Sequence, residues 1–304
     1  MKLKQGDRVG ITACSNGPDE RGREPVEALC RLLRSVGLQP VYGSALRFNG
    51  PFASSAKQRA DALMELFSDD RVRAIFDISG GDLANQILEH LDFTLIRSHP
   101  KPFFGYSDLT VLLNALYRCA GLPCVLWQPK NLLGKDAQGQ LQRFCSSLMD
   151  DGDDGLFHFS CRLLQGAPVE GTVVGGNIRC LLKLAGTPYF PELSQKILFL
   201  ESYGGTPAVL ASLLSQLRQI GAFHQVKGVL LGTFSQMERE GLQPDITSLL
   251  LEAVGNPSLP MAKTMQIGHG PDSRALVIGG TLCLSALDGR SSSSPAQAGQ
   301  RPCR

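Results

Sequence analysis

From Arg8 to Met149 the apolar positions switch repeatedly between two spacings. Arg8 to Ala13 is a short β-rich run closed by the turn residues Cys14-Ser15-Asn16-Gly17-Pro18, which predicts a first strand. Val26, Leu29, Leu32, Leu33 and Val36 then fall at helical intervals, and Gly37 supplies a left-handed stop. Leu38 to Tyr42 reads as a second strand, Ser54-Ser55-Ala56-Lys57 opens a helix through Leu66, and Ala74 to Ile78 is a third strand after the turn at Asp69-Asp70. A helix over Leu83 to Leu91 leads to a strand at Pro102 to Phe104. A helix at Leu109 to Tyr117, a strand at Pro123 to Gln128 and a helix at Leu141 to Met149 follow. This β-α-β rhythm predicts an α/β fold, a parallel sheet with helices on both faces.

The rhythm pauses at Asp150-Asp151-Gly152-Asp153-Asp154-Gly155. The run lacks the glutamate that a calcium loop carries at its twelfth position, so it reads as a solvated turn at a domain boundary. Gly171 to Asn177 is a strand entering a tight glycine turn, and Ile178 to Leu184 is a helix. Lys196 to Glu201 holds four consecutive apolar residues, the mark of a strand buried on both faces. Leu210 to Ile220 is a helix, Val226 to Gly232 a strand, Ile246 to Val254 a helix, and Pro260-Met261-Ala262 leads to Gln266-Ile267-Gly268-His269-Gly270-Pro271. The domains that follow are an N-terminal one over 1–155 and a C-terminal one over 166–288. A serine-rich tail over 289–304 cannot pack a core and is left out of the fold as disordered.

Composition narrows the function classes. The 304 residues are 43% hydrophobic and 19% charged, an ordinary profile for two globular domains. Thirty basic against 28 acidic residues leave +2, with no electrostatic footprint for nucleic acid or an anionic membrane. Nine scattered cysteines show no Cys-x-x-Cys and no zinc-like histidine spacing, so they read as small buried hydrophobes in a reducing compartment, and no metal or cofactor is expected. The N-terminus has no signal-peptide pattern and no run of about 18 apolar residues occurs, which points to the cytoplasm.

Candidate chemistry sits at strand ends. Phe103-Phe104-Gly105-Tyr106-Ser107-Asp108 places Ser107 at a strand-to-helix corner, where the first free N–H groups of the helix face whatever the hydroxyl attacks. The plainer alternative makes Ser107 an N-cap with Asp108 at the positive end of the helix dipole. Ser79-Gly80-Gly81-Asp82 ends the third strand. Its glycines allow close approach of a ligand, or form a simple turn, and no third glycine completes a dinucleotide fingerprint. Glu201 ends the apolar strand, where a carboxylate is costly without a partner. Of five histidines only His269 has close glycines on both sides, though a structural histidine is the common explanation of any one. Together Ser107, His269 and Glu201 supply a nucleophile, a base and an orienting carboxylate.

Phe-Phe-Gly-Tyr-Ser-Asp-Leu-Thr at 103–110, Gly-Gly-Asn at 175–177, Gly-Thr-Pro-Tyr-Phe-Pro at 186–191, Ile-Leu-Phe-Leu-Glu at 197–201 and Gly-His-Gly at 268–270 resemble the LD-carboxypeptidases. These serine peptidases are also called muramoyltetrapeptide carboxypeptidases and have microcin-immunity hydrolases as relatives. The resemblance runs in order from about residue 6 to about 287. It implies a Rossmann-like N-terminal domain carrying Ser107 and a smaller α/β C-terminal domain with a barrel-like sheet carrying Glu201 and His269. The N–H groups of Asp108, Gly80 and Gly81 would form the oxyanion hole. It further implies a metal-free homodimer that releases D-alanine from a murein tetrapeptide in cytoplasmic wall recycling. One departure stands out: the common Arg-Gly-Gly-Tyr-Gly loop is replaced by Ser79-Gly80-Gly81-Asp82-Leu83. Loss of the arginine and gain of Asp82 point to a substrate-binding loop with altered charge and to a shifted substrate. Alternatives are a microcin-immunity-like hydrolase of a peptide–nucleotide conjugate, with Trp127 stacking on a base or serving as core, and a non-catalytic small-molecule binding protein.

Overall fold

The computed structural model describes residues 2–150, 152 and 154–284, and the backbone of Arg290–Ser292. The strands are β1 (Arg8–Thr12), β2 (Gln39–Tyr42), β3 (Val72–Asp77), β4 (Phe103–Gly105), β5 (Cys124–Leu126), β6 (His158–Ser160), β7 (Arg162–Gln165), β8 (Val169–Asn177), β9 (Lys196–Ser202), β10 (Gly228–Phe234), β11 (Met261–Lys263), β12 (Leu276–Ile278), β13 (Thr281–Leu284) and β14 (Arg290–Ser292). The first sheet has the order β12-β5-β4-β3-β1-β2, parallel except for β12. Its parallel strands follow the doubly wound order 2-1-3-4-5, which leaves a crevice beyond the carboxyl ends of β1 and β3 where the winding reverses. The second sheet, β13-β8-β9-β10-β11-β7, is parallel from β8 to β11 and curls into a half-barrel.

Period-two patterning sorts the side chains into layers. On β9, Ile197 and Phe199 join the apolar layer between the two sheets, while Leu198 and Leu200 face the helices on the far side. On β3, Ile75 faces the shared layer, and Ala74 and Phe76 face the opposite one. Helix Thr110–Ala120, which follows Ser107, lies in the shared layer with Val111, Leu112, Leu113, Ala115 and Leu116 all buried. A helix apolar on every side belongs inside, and truncating Leu113 to alanine there would cost about 2–5 kcal/mol.

Some helices begin at a capping side chain, as at Ser55, which forms a capping box with Gln58 before Ala56–Ser68, whereas Arg23–Ser35 and Thr110–Ala120 begin without one. The differences from expectation lie in short elements. The stretch expected to be a helix over 83–91 is a 3-10 segment, Ala84–His90, and a short helix at Phe93–Ser98 goes unpredicted. Gly175 and Gly176 are not a turn but part of β8, opposite Phe199 and Leu200 of β9. Within the tail assigned to disorder, Arg290–Ser292 pair with β6, and 289 and 293–304 lie outside the described residues. No described helix is long and apolar enough to cross a membrane.

Candidate active site

Ser107 has φ +54, the left-handed region that side chains other than glycine rarely occupy. The strained residue sits between an extended Tyr106 and the 3-10 turn Ser107–Leu109, the geometry of a nucleophile elbow. Gly105 makes the corner possible, because a Cβ there would lie 2.8 Å from Leu109 Cβ.

The glycine loop after β3 lies against this elbow. A Cβ on Gly80 would be 4.0 Å from Ser107 Cβ. Asn16, after β1, receives the loop: its N–H donates to the Gly80 carbonyl at 3.2 Å, and its Oδ1 accepts from the Asp82 N–H at 2.9 Å. Gly81 has φ +116, and a Cβ there would fall 2.3 Å from the Asn16 side chain, so the loop tolerates nothing larger. Gly80 faces Asn16 in an antiparallel bridge, and among the described residues the N–H groups of Gly81 and Asp108 have no protein acceptor.

Beneath the loop, Asp77 is fully buried and accepts from the Cys14 N–H at 2.7 Å, the Ser79 N–H at 2.8 Å and Ser79 Oγ at 2.5 Å. Burial pushes its carboxyl up, and burial with the nearby Asp77 raises the Cys14 thiol well above its usual range. Ser79 is therefore an inward-facing anchor, 5% exposed, whose Oγ also accepts from the Ser15 N–H. This corrects the expectation that position 79 lines a pocket. Asp82 does not add an unpaired anion either: Arg179 donates to it at 2.5 Å and holds its carboxyl below the usual range. The loop mouth thus carries a guanidinium after all, contributed by the second half of the chain.

Glu201 and His269 meet. Glu201 is fully buried, and its Oε2 lies 2.7 Å from His269 Nδ1. Its other oxygen accepts from Asn177 Nδ2 at 3.1 Å, so the costly buried carboxylate has partners on both sides. The His269 ring packs between Tyr106, with centroids 4.4 Å apart, and Tyr203, 5.0 Å away. Burial and the Glu201 charge push the Tyr106 phenol well above its ordinary value, and the hydroxyl has no hydrogen-bond partner. Ser107 Oγ makes no hydrogen bond among the described residues. Its link to the imidazole runs through Tyr106, its chain neighbour and the wall of the ring.

Close backbone approaches hold the two halves in this register. Asn177 N–H donates to Thr110 Oγ1 at 2.9 Å, while Asn114 exchanges bonds of 2.9 Å with both the N–H and the carbonyl of Gly175. A Cβ on Gly176 would lie 2.5 Å from Thr110 Oγ1, so this glycine lets the helix after Ser107 dock on β8, while a Cβ on Gly175 would lie 2.2 Å from the Phe199 carbonyl of β9. On the histidine side, the His269 N–H donates to Thr233 Oγ1 at 3.2 Å. Thr233 and Tyr203 escaped the reading of the sequence, and Tyr106 and Asn177 stood in it only as motif residues without a role; the contact each makes with Glu201 or His269 marks them. Trp127, by contrast, is core: it is 1% exposed and packs on Phe104 and Phe144. Among the described residues no cluster of three or more His, Cys, Asp or Glu could hold a metal ion.

A doubly wound sheet with a strained serine at a strand end, joined to a second sheet that presents a carboxylate–imidazole pair, defines a hydrolase-like α/β protein of two halves. The sequence matches the description "LD-carboxypeptidase N-terminal domain" over residues 9–126 and "LD-carboxypeptidase C-terminal domain" over 170–284. The chain belongs to the LD-carboxypeptidase family, a family of serine carboxypeptidases. It is 30% identical to the "Probable murein peptide carboxypeptidase" of Bacillus subtilis over 94% of this chain and 91% of that one. It is 29% identical to the "Murein tetrapeptide carboxypeptidase" of Pseudomonas aeruginosa over 85% and 88%. The solved wild-type apo structure of the microcin C7 self-immunity protein MccF shares the fold, with a TM-score of 0.84 at 22% identity over 97% of this chain and 98% of that one.

Proposed function

We propose that this protein cleaves the amide bond between an L-centre and a terminal D-amino acid, releasing D-alanine from a murein tetrapeptide through a Ser107–His269–Glu201 triad. The observation that supports the reading is that the strained Ser107 lies beside the Gly80–Gly81 loop while its chain neighbour Tyr106 packs on the imidazole of the His269–Glu201 pair. Ser107 Oγ attacks the carbonyl carbon while His269 Nε2 takes its proton. Glu201 accepts from Nδ1–H, which fixes the tautomer and stabilises the imidazolium. The negative charge on the carbonyl oxygen falls to N–H groups of the Gly80–Gly81 loop and of Asp108. His269 then returns the proton to the leaving nitrogen, the D-amino acid departs, and water activated by the same imidazole hydrolyses the acyl-serine. Buried Tyr106 stays neutral and serves as the apolar wall that keeps the imidazole aligned.

Arg179 is the cation best placed at the loop mouth for a substrate carboxylate, so the substituted loop leaves a tetrapeptide acceptable. The sequence relatives bearing murein carboxypeptidase names support that substrate. Buried Trp127 offers no stacking surface for a nucleotide conjugate. The cysteines Cys14, Cys30, Cys124 and Cys180, buried among apolar side chains, suit a reducing cytoplasm, and a homodimer working in wall recycling completes the proposal. The test is to incubate purified protein with L-Ala-γ-D-Glu-meso-diaminopimelyl-D-Ala and to label it separately with a fluorophosphonate. Release of D-Ala and labelling at Ser107, both absent from Ser107→Ala, are expected. Turnover by Ser107→Ala would sink the triad.

A further inference from the structure

Helix Ile178–Leu182 begins directly after Asn177, and Arg179 and Lys183, four residues apart, both reach the loop that carries Gly80 and Gly81. Their contacts differ in kind. Arg179 donates to Asp82 and to the Gly81 carbonyl, but the two side chains of the ion pair are 51% and 63% exposed. Water screens such a pair, and the freedom of long side chains opposes it. Lys183 donates to Asp108 Oδ1 at 2.5 Å and to the Asp82 carbonyl at 2.9 Å, with its side chain 18% exposed and that of Asp108 fully buried. The other Asp108 oxygen accepts from Ser15 Oγ at 2.6 Å and from the Ala84 N–H at 2.9 Å. One ammonium thus ties the residue after the nucleophile to the glycine loop. It comes from the half of the chain that bears Glu201 and His269.

We propose that Lys183 is a positioning residue for the hydrolytic reaction: it fixes the spacing between the Ser107–Asp108 turn and the Gly80–Asp82 loop. The proposal rests on the serine-hydrolase reading above. The N–H groups of Gly81 and Asp108 have no protein acceptor among the described residues, so their directions depend on how the two segments are anchored. Ser107 keeps φ +54 only because its surroundings over-determine it. Without the ammonium, Asp108 is a buried carboxylate whose direct hydrogen-bond donors are all neutral, with the Arg59 and Arg179 charges acting only at longer range, and it gains most by moving toward water. That movement carries Ser107 and the Asp108 N–H with it. Contacts to the far parts of the substrate are unaffected, so the loss falls on kcat rather than KM.

The experiment compares full-length wild type, Lys183→Met and Lys183→Arg, at a temperature where thermal scans show each folded. It reads the rate of acylation by a fluorophosphonate, and kcat and KM on the tetrapeptide. Lys183→Met is expected to be acylated and to turn over about a hundredfold more slowly with KM within about threefold, the effect of a misplacement near 1 Å. Lys183→Arg keeps the charge and is expected to recover most of that rate. Folded Lys183→Met acylated at the wild-type rate overturns the proposal, as does Lys183→Arg no faster than Lys183→Met. Should Lys183→Met not fold, Asp108→Asn/Lys183→Met, which leaves no charge unpaired, replaces it. Slow acylation then supports the proposal and a wild-type rate overturns it. A wild type that the probe does not label removes the serine-hydrolase reading and this proposal together, whereas a labelled wild type with an unimpaired Lys183→Met removes this proposal alone.

Discussion

Replacing Gly268 by alanine perturbs the imidazole without touching its side-chain partners. Gly268 has φ +141, and a Cβ there would lie 1.9 Å from Thr233 Oγ1 and 3.0 Å from Thr233 Cβ. The backbone conformation alone costs roughly 1–3 kcal/mol for a residue with a side chain. The overlap forces Thr233 to rotate or the 268–269 segment to move. Rotation gives up the bond from the His269 N–H to Thr233 Oγ1, worth about 0.5–1.5 kcal/mol. The sum, about 1.5–4.5 kcal/mol, lowers Tm by roughly 2–7 °C in a chain of this size. Either response shifts the ring relative to Glu201, and displacement of about 1 Å costs about a hundredfold in kcat/KM. Thermal scans and tetrapeptide kinetics measure both quantities. Thr233→Ala in the Gly268→Ala background removes the atom at 1.9 Å but not the backbone cost, so the pair should be less harmful than the sum of its singles by about 1 kcal/mol. Gly268→Ala with unchanged Tm and kcat/KM, or strict additivity with Thr233→Ala, would refute the reasoning.

Four further outcomes are expected. Ser107→Ala, His269→Ala and Glu201→Ala lose turnover, the Ser107→Ala/His269→Ala pair is no worse than either single, and Glu201→Gln is milder than Ser107→Ala; additive losses in kcat count against a triad. Ser79→Arg, placed in a buried site bonded to Asp77, destabilises by about 3 kcal/mol or more and does not raise kcat/KM, so improved tetrapeptide turnover would contradict the inward placement of Ser79. Asp82→Asn changes unfolding free energy at pH 7 by less than about 0.5 kcal/mol, because the pair is exposed. Arg179 lowers the folded-state value of the Asp82 carboxyl, so whatever stability it adds is present above the unfolded-state value and is lost as pH falls through the lowered one. A denaturation series for wild type and Asp82→Asn from pH 7 downward checks the sign. Incubation with EDTA leaves D-Ala release unchanged, and a loss restored by zinc would show that a metal takes part.

Much of this architecture is local and was legible in the residues. Helical spacing over 24–36, the cap at Ser55 and the four apolar residues of β9 depend on which face of one element is buried, and period alone encodes that. The strand-end positions of Ser107, Glu201 and His269 are visible for the same reason, since turn residues mark where strands stop. What the residues do not encode locally is who meets whom. The edge strand of the first sheet, β12, comes from beyond His269, and no periodicity announces that a three-residue strand crosses to the other half. Gly175 and Gly176 read as a turn because their reasons lie far away in sequence, in the Phe199 carbonyl and in Thr110, which pack where their Cβ atoms would be. Ser79 reads as a pocket residue because its direction depends on Asp77 and Ser15 beneath it. Glu201 found its imidazole only when β9, β10 and β11 assembled into one sheet, and Asp82 its guanidinium and Asp108 its ammonium only when the two halves docked. A side chain's type and face follow from its own stretch of chain, but its partner and hence its charge environment are set by long-range packing.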